Sequence, residues 1–174
     1  MLPAIDVGRS VSRVGGAAQH ATYRSVAGTL KLAYAQFEEL ESFAKFGTRL
    51  DEATRKIIDH GQRIRACLKQ PDGRPVALHE QITLLLALTA GQFDAVPLEQ
   101  MAEAEQALRK AAARLAPEVL KRLASADPLS DADRDSILAI TLQVLAPFQP
   151  APKAKTKAGP LGAPAVRSAS KPEA

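Results

Sequence analysis

Arg13 is the residue whose type and setting point most directly to chemistry. It lies in Leu2–Gly16, LPAIDVGRSVSRVGG, bracketed by Gly8, Gly15 and Gly16. A guanidinium presents five N–H donors in a planar fork, which matches phosphate oxygens better than the point charge of a lysine. Glycines on both sides let the backbone turn sharply or come close to a ligand. Ser12 and Val11 are its immediate companions. The same spacing also suits a solvated arginine on a surface turn.

Other residue groups suggest no further chemistry. His20, His60 and His79 have no helical i, i+4 pairing, and His79-Glu80 is followed by Thr83 where a zinc-protease helix needs a second histidine. No metal site is expected. Glu38-Glu39 and the trio Asp131, Asp133 and Asp135 fall on solvated helix faces or at a helix start, where negative charge is favourable. The single Cys67 rules out an internal disulfide and reads as a small packing residue.

The elements that must hold Arg13 are legible from periodicity. Val11 and Val14 favour extended backbone, so the opening segment predicts a short strand whose loop leads into a helix. Val26, Leu30, Ala33, Phe37, Leu40 and Ala44 mark one face of a helix that Gly47 should stop. Asp51 suits the N-cap of a second helix carrying Ala53, Ile57, Ile64 and Leu68, closed by the turn Gln70-Pro71-Asp72-Gly73. A more apolar helix covers Leu78 to Ala90 and ends at Gly91. Pro97 fits the first position of a helix with Leu98, Met101, Leu108 and Leu115, and Pro117 opens another through Leu120 and Leu123. Ser130-x-x-Asp133 forms a capping box before Ile137, Ile140, Val144 and Leu145. The expected fold is all-α, a helical bundle.

Composition agrees. Hydrophobic residues make up 46% of the 174 but aromatics only 4%, so the core must be built mainly from Ala and Leu, as in helix-on-helix packing. Lys153, Lys155, Lys157, Arg167 and Lys171 against Glu173 account for the whole formal net charge of +4. Residues 1–148 are therefore neutral overall and show no basic footprint for nucleic acid. The last 26 positions, 149–174, mix those lysines with proline and alanine and read as a disordered basic tail. A tail of that kind is also able to touch anionic lipid or RNA, in which case binding would fall steeply with salt. No signal peptide is expected, because Asp6 interrupts the apolar start, and Ile82–Ala90 is too short an apolar run to span a membrane.

Several segments carry a resemblance. They are Pro3-Ala4-Ile5, Ser10-Val11-Ser12-Arg13-Val14-Gly15-Gly16-Ala17-Ala18-Gln19, Val26-Ala27-Gly28, Leu32 to Glu41, Phe43 to Gly47, Leu50 to Thr54, Leu68-Lys69-Gln70 and Glu80-Gln81. In this order, across residues 2–148, they resemble the C-terminal portion of F-type ATP synthase alpha subunits. Asp6-Val7-Gly8-Arg9 is similar to the alternate bacterial class of these ATPases.

The resemblance implies three parts: residues 1–18 as a strand-and-loop remnant of a nucleotide-binding domain, 19–148 as a helical bundle, and 149–174 as the tail. It implies that Arg13 is an arginine finger, reaching in trans to the nucleotide phosphates of a neighbouring beta subunit, with Val11 and Ser12 lining the same catalytic site. Such fingers contribute roughly 10³–10⁵ in rate, or about 4–7 kcal/mol of barrier. It also implies that Pro3 and Gln70 are remnants of a non-catalytic adenine site. Asp72, Gly73 and Leu2 stand where the family carries Gln, Tyr and Arg, which removes donors and a stacking partner.

Partners implied are the beta subunit and, near Lys45, Arg49 and Asp51, the central gamma rotor. ATP or ADP with Mg is expected only in the assembled complex, because no Gly-x-x-x-x-Gly-Lys-Ser/Thr loop is present to cradle phosphates and the chain is read as starting after it. Catalysis by the chain alone is therefore not expected. The implied location is peripheral, on the cytoplasmic face of the bacterial inner membrane, with membrane contact only through partners. The alternative is a freestanding helical interaction module, or a gene remnant with no catalytic role.

Overall fold

A computed structural model describes residues 7, 12, 14–45, 50–69, 73–125 and 127–150. Among them the regular structure is entirely helical: α1 (Gly15–Ala18), α2 (Ala21–Ala44), α3 (Glu52–Cys67), α4 (Leu78–Thr89), α5 (Met101–Ala112), α6 (Pro117–Leu123) and α7 (Asp131–Leu145), with 3₁₀ turns at Leu98–Gln100 and Ala146–Phe148. The strand expected before Arg13 falls almost wholly outside these residues, and no strand occurs among them. Val14, expected to be extended, is instead in the right-handed helical region (φ −109°, ψ −22°), where it precedes the single turn of α1.

Helix α4 is the hub. Its residues Ile82 to Leu88 are buried without interruption, as in a helix covered on all sides, and it packs against α2, α5, α6 and α7. It stops as expected: Gly91 takes φ +69°, a left-handed conformation that a side chain would strain. The expected caps also form. Asp51 accepts a hydrogen bond from the Thr54 amide (2.7 Å), Pro117 occupies the first turn of α6, and Ser130 accepts from the Asp133 amide (3.2 Å). The stop at Gly47 lies outside the described residues, while α2 ends at Ala44.

Other expectations were met in part: Val26, Leu30, Phe37, Ile64, Ile137 and Leu145 are buried as expected, while some neighbouring positions are off by one residue. In α3 the core takes Ile58, Gly61, Ile64 and Cys67, while Ile57 is exposed and so is Ala53. In α7 it takes Ile137, Thr141 and Leu145, while Ile140 is exposed. In α2 Tyr34 is buried and Ala33 only partly so. Apolar character alone favours Ile57 and Ile140, but neighbouring helices decide the buried face. Thr141 joins the core because its hydroxyl finds acceptors there, the Gln92 side-chain carbonyl at 2.5 Å and the Leu138 carbonyl at 2.9 Å. Pro97 precedes the 3₁₀ turn rather than starting a helix, with ψ 142°. Leu98 is exposed, and Leu115 is buried beyond the end of α5.

At the α2–α3 seam a side chain meets backbone closely. A Cβ built on Gly61 would lie 2.0 Å from Phe37 Cγ, so only glycine lets the fully buried Phe37 ring sit against the α3 backbone. Across the same seam the Arg65 guanidinium forks onto Glu41 (both contacts 2.8 Å) and stacks 4.4 Å from the Phe37 ring centroid.

Candidate functional site

The segment expected to aim Arg13 is held by local hydrogen bonds. Ser12 is exposed, and its Oγ accepts from the Gly15 amide (2.8 Å) and more weakly from the Val14 amide (3.4 Å). The Ser12 hydroxyl is thus engaged by the amides that lead into α1. Gly15 suits the turn, because a Cβ there would meet Ser12 Cβ at 2.9 Å.

Downstream, Arg24 reaches back from α2 to donate to the carbonyls of Ala17 (3.4 Å) and Gln19 (3.2 Å), tying α1 to α2. The start of α2 is in turn fixed to the α6–α7 connection. His20 donates from Nδ1 to the Ser125 carbonyl (3.3 Å), and the Thr22 hydroxyl donates to the Asp127 carbonyl (3.4 Å). Val7 packs partly buried against the core and borders a cavity of about 380 Å³ shared with Tyr23, Leu30 and Leu85. Residues on both sides of Arg13 are thus anchored to the bundle. Arg13 itself, with Val11, Pro3 and Gln70, lies outside the described residues, so Ser12 is the one predicted site residue with a described setting.

The loop expected to face a rotor is described at both ends. Lys45 lies 3.9 Å from Glu41, and the Asp51 carboxylate is taken up by the α3 cap. The Thr54 hydrogen bonds hold the Asp51 carboxyl below its ordinary range. Arg49 is outside the described residues.

Sequence reasoning missed the polar groups that hold helices together. Arg65, bound to Glu41 and donating to the Tyr34 hydroxyl (3.3 Å), keeps the Glu41 carboxyl below its ordinary range. Arg122 forks onto Asp133 (both 2.6 Å), and the Ser130 hydroxyl donates to the same carboxylate (2.8 Å). The Arg122 and Ser130 bonds lower the Asp133 pKa. Asp133, read as part of the Ser130 capping box at a helix start, is 8% exposed. The only signal for these pairs was charge at positions 41, 65, 122 and 133, which does not say which charges meet.

Cys67 is buried, and burial, together with the nearby Glu105 carboxylate, pushes its thiol well above the usual range. Among the described residues no group of three or more His, Cys, Asp or Glu side chains converges to hold a metal ion. No described helix is long and apolar enough to cross a membrane.

Comparison with known proteins gives this geometry its family. Residues 19–144 match the ATP synthase alpha/beta chain, C terminal domain. The chain is 64% identical over 156 residues to ATP synthase subunit alpha 2 of Albidiferax ferrireducens, covering 90% of this chain and 29% of that protein. It is 61% identical over 155 residues to ATP synthase subunit alpha 1 of Shewanella frigidimarina, 89% of this chain and 30% of the relative. With ATP synthase subunit alpha 2 of Polaromonas naphthalenivorans it shares 60% over 152 residues, 87% of this chain and 29% of the relative. The chain spans less than a third of the length of these curated relatives. The match over residues 19–144 makes the chain a member of the ATP synthase alpha/beta family, carrying that family's C-terminal domain.

Proposed function

We propose that this chain acts as part of the alpha subunit of an F-type, proton- or sodium-translocating ATP synthase. The observation that carries the reading is the 64% identity, over 90% of the chain, to a protein named ATP synthase subunit alpha 2. In this reading residues 1–18 are the remnant of a nucleotide-binding domain, 19–148 the bundle and 149–174 a solvated tail. Arg13 serves the catalytic site of a neighbouring beta subunit as an arginine finger supplied in trans. There its guanidinium offsets charge that builds on the transferring phosphoryl group. Val11 and Ser12 line that site. Mg-bound ATP or ADP is bound in the assembled complex, and Pro3 and Gln70 are remnants of the non-catalytic adenine pocket. Lys45, Arg49 and Asp51 face the rotor and help couple chemistry to rotation. The complex is peripheral, at the cytoplasmic face of the inner membrane.

The test is Arg13→Lys in a complex purified with beta from the chain's own cells. Assembly should persist while turnover falls by roughly a factor of 10³ or more, and an unchanged ATPase rate would remove Arg13 from the mechanism. A second reading rests on the continuous core running from Val26 to Leu145. A bundle that closes on itself in this way suits a freestanding helical interaction module without catalysis. Failure of beta to co-purify with the chain would favour that reading.

A further inference from the structure

Helix α7 carries apolar residues on its outer side as well as its inner one. Ile137, Thr141 and Leu145 enter the core, yet Leu142 is 52% exposed, Ile140 38%, and Ala139 and Ala146 are exposed too. A helix that is apolar all round is ordinarily covered all round. Asp131 and Asp135, four residues apart, share one exposed line of this helix, and Leu142 lies on it two turns further on. Neither aspartate enters an ion pair among the described residues. Residues 124–148 hold four aspartates and one arginine, whereas 149–174 hold five basic residues against Glu173. An acidic segment is followed directly by a basic one.

The end of α7 fixes where the basic segment starts. Gln149 follows the 3₁₀ turn in extended conformation (φ −88°, ψ 137°), and its Nε2 donates to the Gln92 carbonyl (3.2 Å). Residues 151–174 lie outside the described residues. Pro150 and Pro152 disfavour a helix and favour extended chain. At about 3.1–3.3 Å per residue, Lys153 to Lys157 fall roughly 12–26 Å from Gln149. At about 1.5 Å per residue of helix, Asp135 and Asp131 lie roughly 15 and 21 Å back from Leu145. The two lengths match. Lys153, Lys155 and Lys157 alternate, so an extended chain presents all three to one side.

We propose that residues 150–157 fold back along the outer side of α7 as an intramolecular strap. Pro150, Ala151 and Pro152 cover Leu142 and Ala139, and Lys153, Lys155 and Lys157 pair with Asp135 and Asp131. This narrows the solvated tail to residues 158–174. The occupant of the α7 face is this chain's own extension, whatever becomes of Arg13 or of the alpha-subunit reading.

Trypsin cleaves after each of these lysines, so its rate on the full chain, set against a synthetic peptide of residues 149–174, reads the docking. In low salt the full chain should be cut there about threefold or more slowly, the effect expected of two or three exposed ion pairs. High salt should remove the difference. So should Asp131→Asn combined with Asp135→Asn, a change at two exposed positions whose helix content circular dichroism checks. Independently, the triple variant Lys153→Gln, Lys155→Gln, Lys157→Gln leaves the bundle unaltered and should move the amide resonances of Asp131, Asp135 and Leu142. Cleavage at the peptide's rate in low salt would overturn the strap, as would unmoved resonances or protection that survives the aspartate changes. Protection that grows with protein concentration would overturn it too, by assigning the α7 face to a second copy.

Discussion

The Glu41–Arg65 and Arg122–Asp133 forks use the same chemistry in two different seams, and the contrast lies in what surrounds them. Glu41 and Arg65 join helices α2 and α3, both side chains are 22% exposed, and the guanidinium lies over the Phe37 ring. Arg122 is half exposed, and its partner Asp133 belongs to the first turn of α7, held by the Ser130 cap. The first fork is part of the packing between two long helices. The second orders a helix start, with a buried carboxylate and a guanidinium half open to water. Exposed ion pairs contribute little, while partly buried ones act together with the apolar contacts they cover. The bundle should therefore respond unequally to damage at the two places.

The largest expected effect is at the α2–α3 seam. Phe37→Ala should lower unfolding stability by about 3–5 kcal/mol in urea titrations, because it empties a fully buried ring site that helices cannot refill. Gly61→Ala attacks the same contact from the other side. Overpacking the Phe37 ring should cost about 1–3 kcal/mol. A Gly61→Ala protein as stable as the parent would mean that the crossing is looser than the 2.0 Å approach implies.

Next comes Glu41→Gln, expected to cost about 1 kcal/mol at neutral pH. The folded state holds the Glu41 carboxyl below its ordinary range. Its contribution is therefore fully present above that range and is lost as pH falls through the lowered value. The variant should show a shallower loss of stability in acid than the parent, and identical acid limbs would assign that slope to other carboxylates.

At the second fork Ser130→Ala should cost about 1 kcal/mol through the lost cap. Asp133→Asn should reduce the melting temperature by less in high salt than in low salt, since Arg122 is exposed to screening. The smallest effect concerns Cys67. Its buried thiol should stay unmodified by a thiol reagent in the folded chain and react fully in denaturant. Rapid modification of the folded chain would reveal opening at the end of α3.

What was legible in the sequence follows a physical line. Caps and stops at Asp51, Gly91, Pro117 and Ser130 were readable because each depends on a residue's own backbone and a neighbour within a few positions. The buried faces of α3 and α7 were read correctly at Ile64, Ile137 and Leu145 and missed by one residue at Ile57 and Ile140. Ile57 and Ile58 are equally apolar, and Thr141 is less apolar than Ile140, yet Ile58 and Thr141 are the residues in the core. The candidate site divided similarly. Ser12 was singled out for its place beside Arg13, but its bond to the Gly15 amide was not anticipated.

By itself, the sequence determined that this chain is a helical bundle, that helices start at Asp51, Leu78, Pro117 and Ser130 and one stops at Gly91, and which family it belongs to. Those properties rest on short-range spacing and on ordered motifs that survive without any knowledge of contacts. Only the tertiary structure decided which face each helix buries, that Gly61 must make way for Phe37, and which arginine meets which carboxylate. Partners such as Glu41 and Arg65 stand 24 positions apart. Nothing in the local chain distinguishes them from other charges, and only the packing of α2 on α3 brings them together.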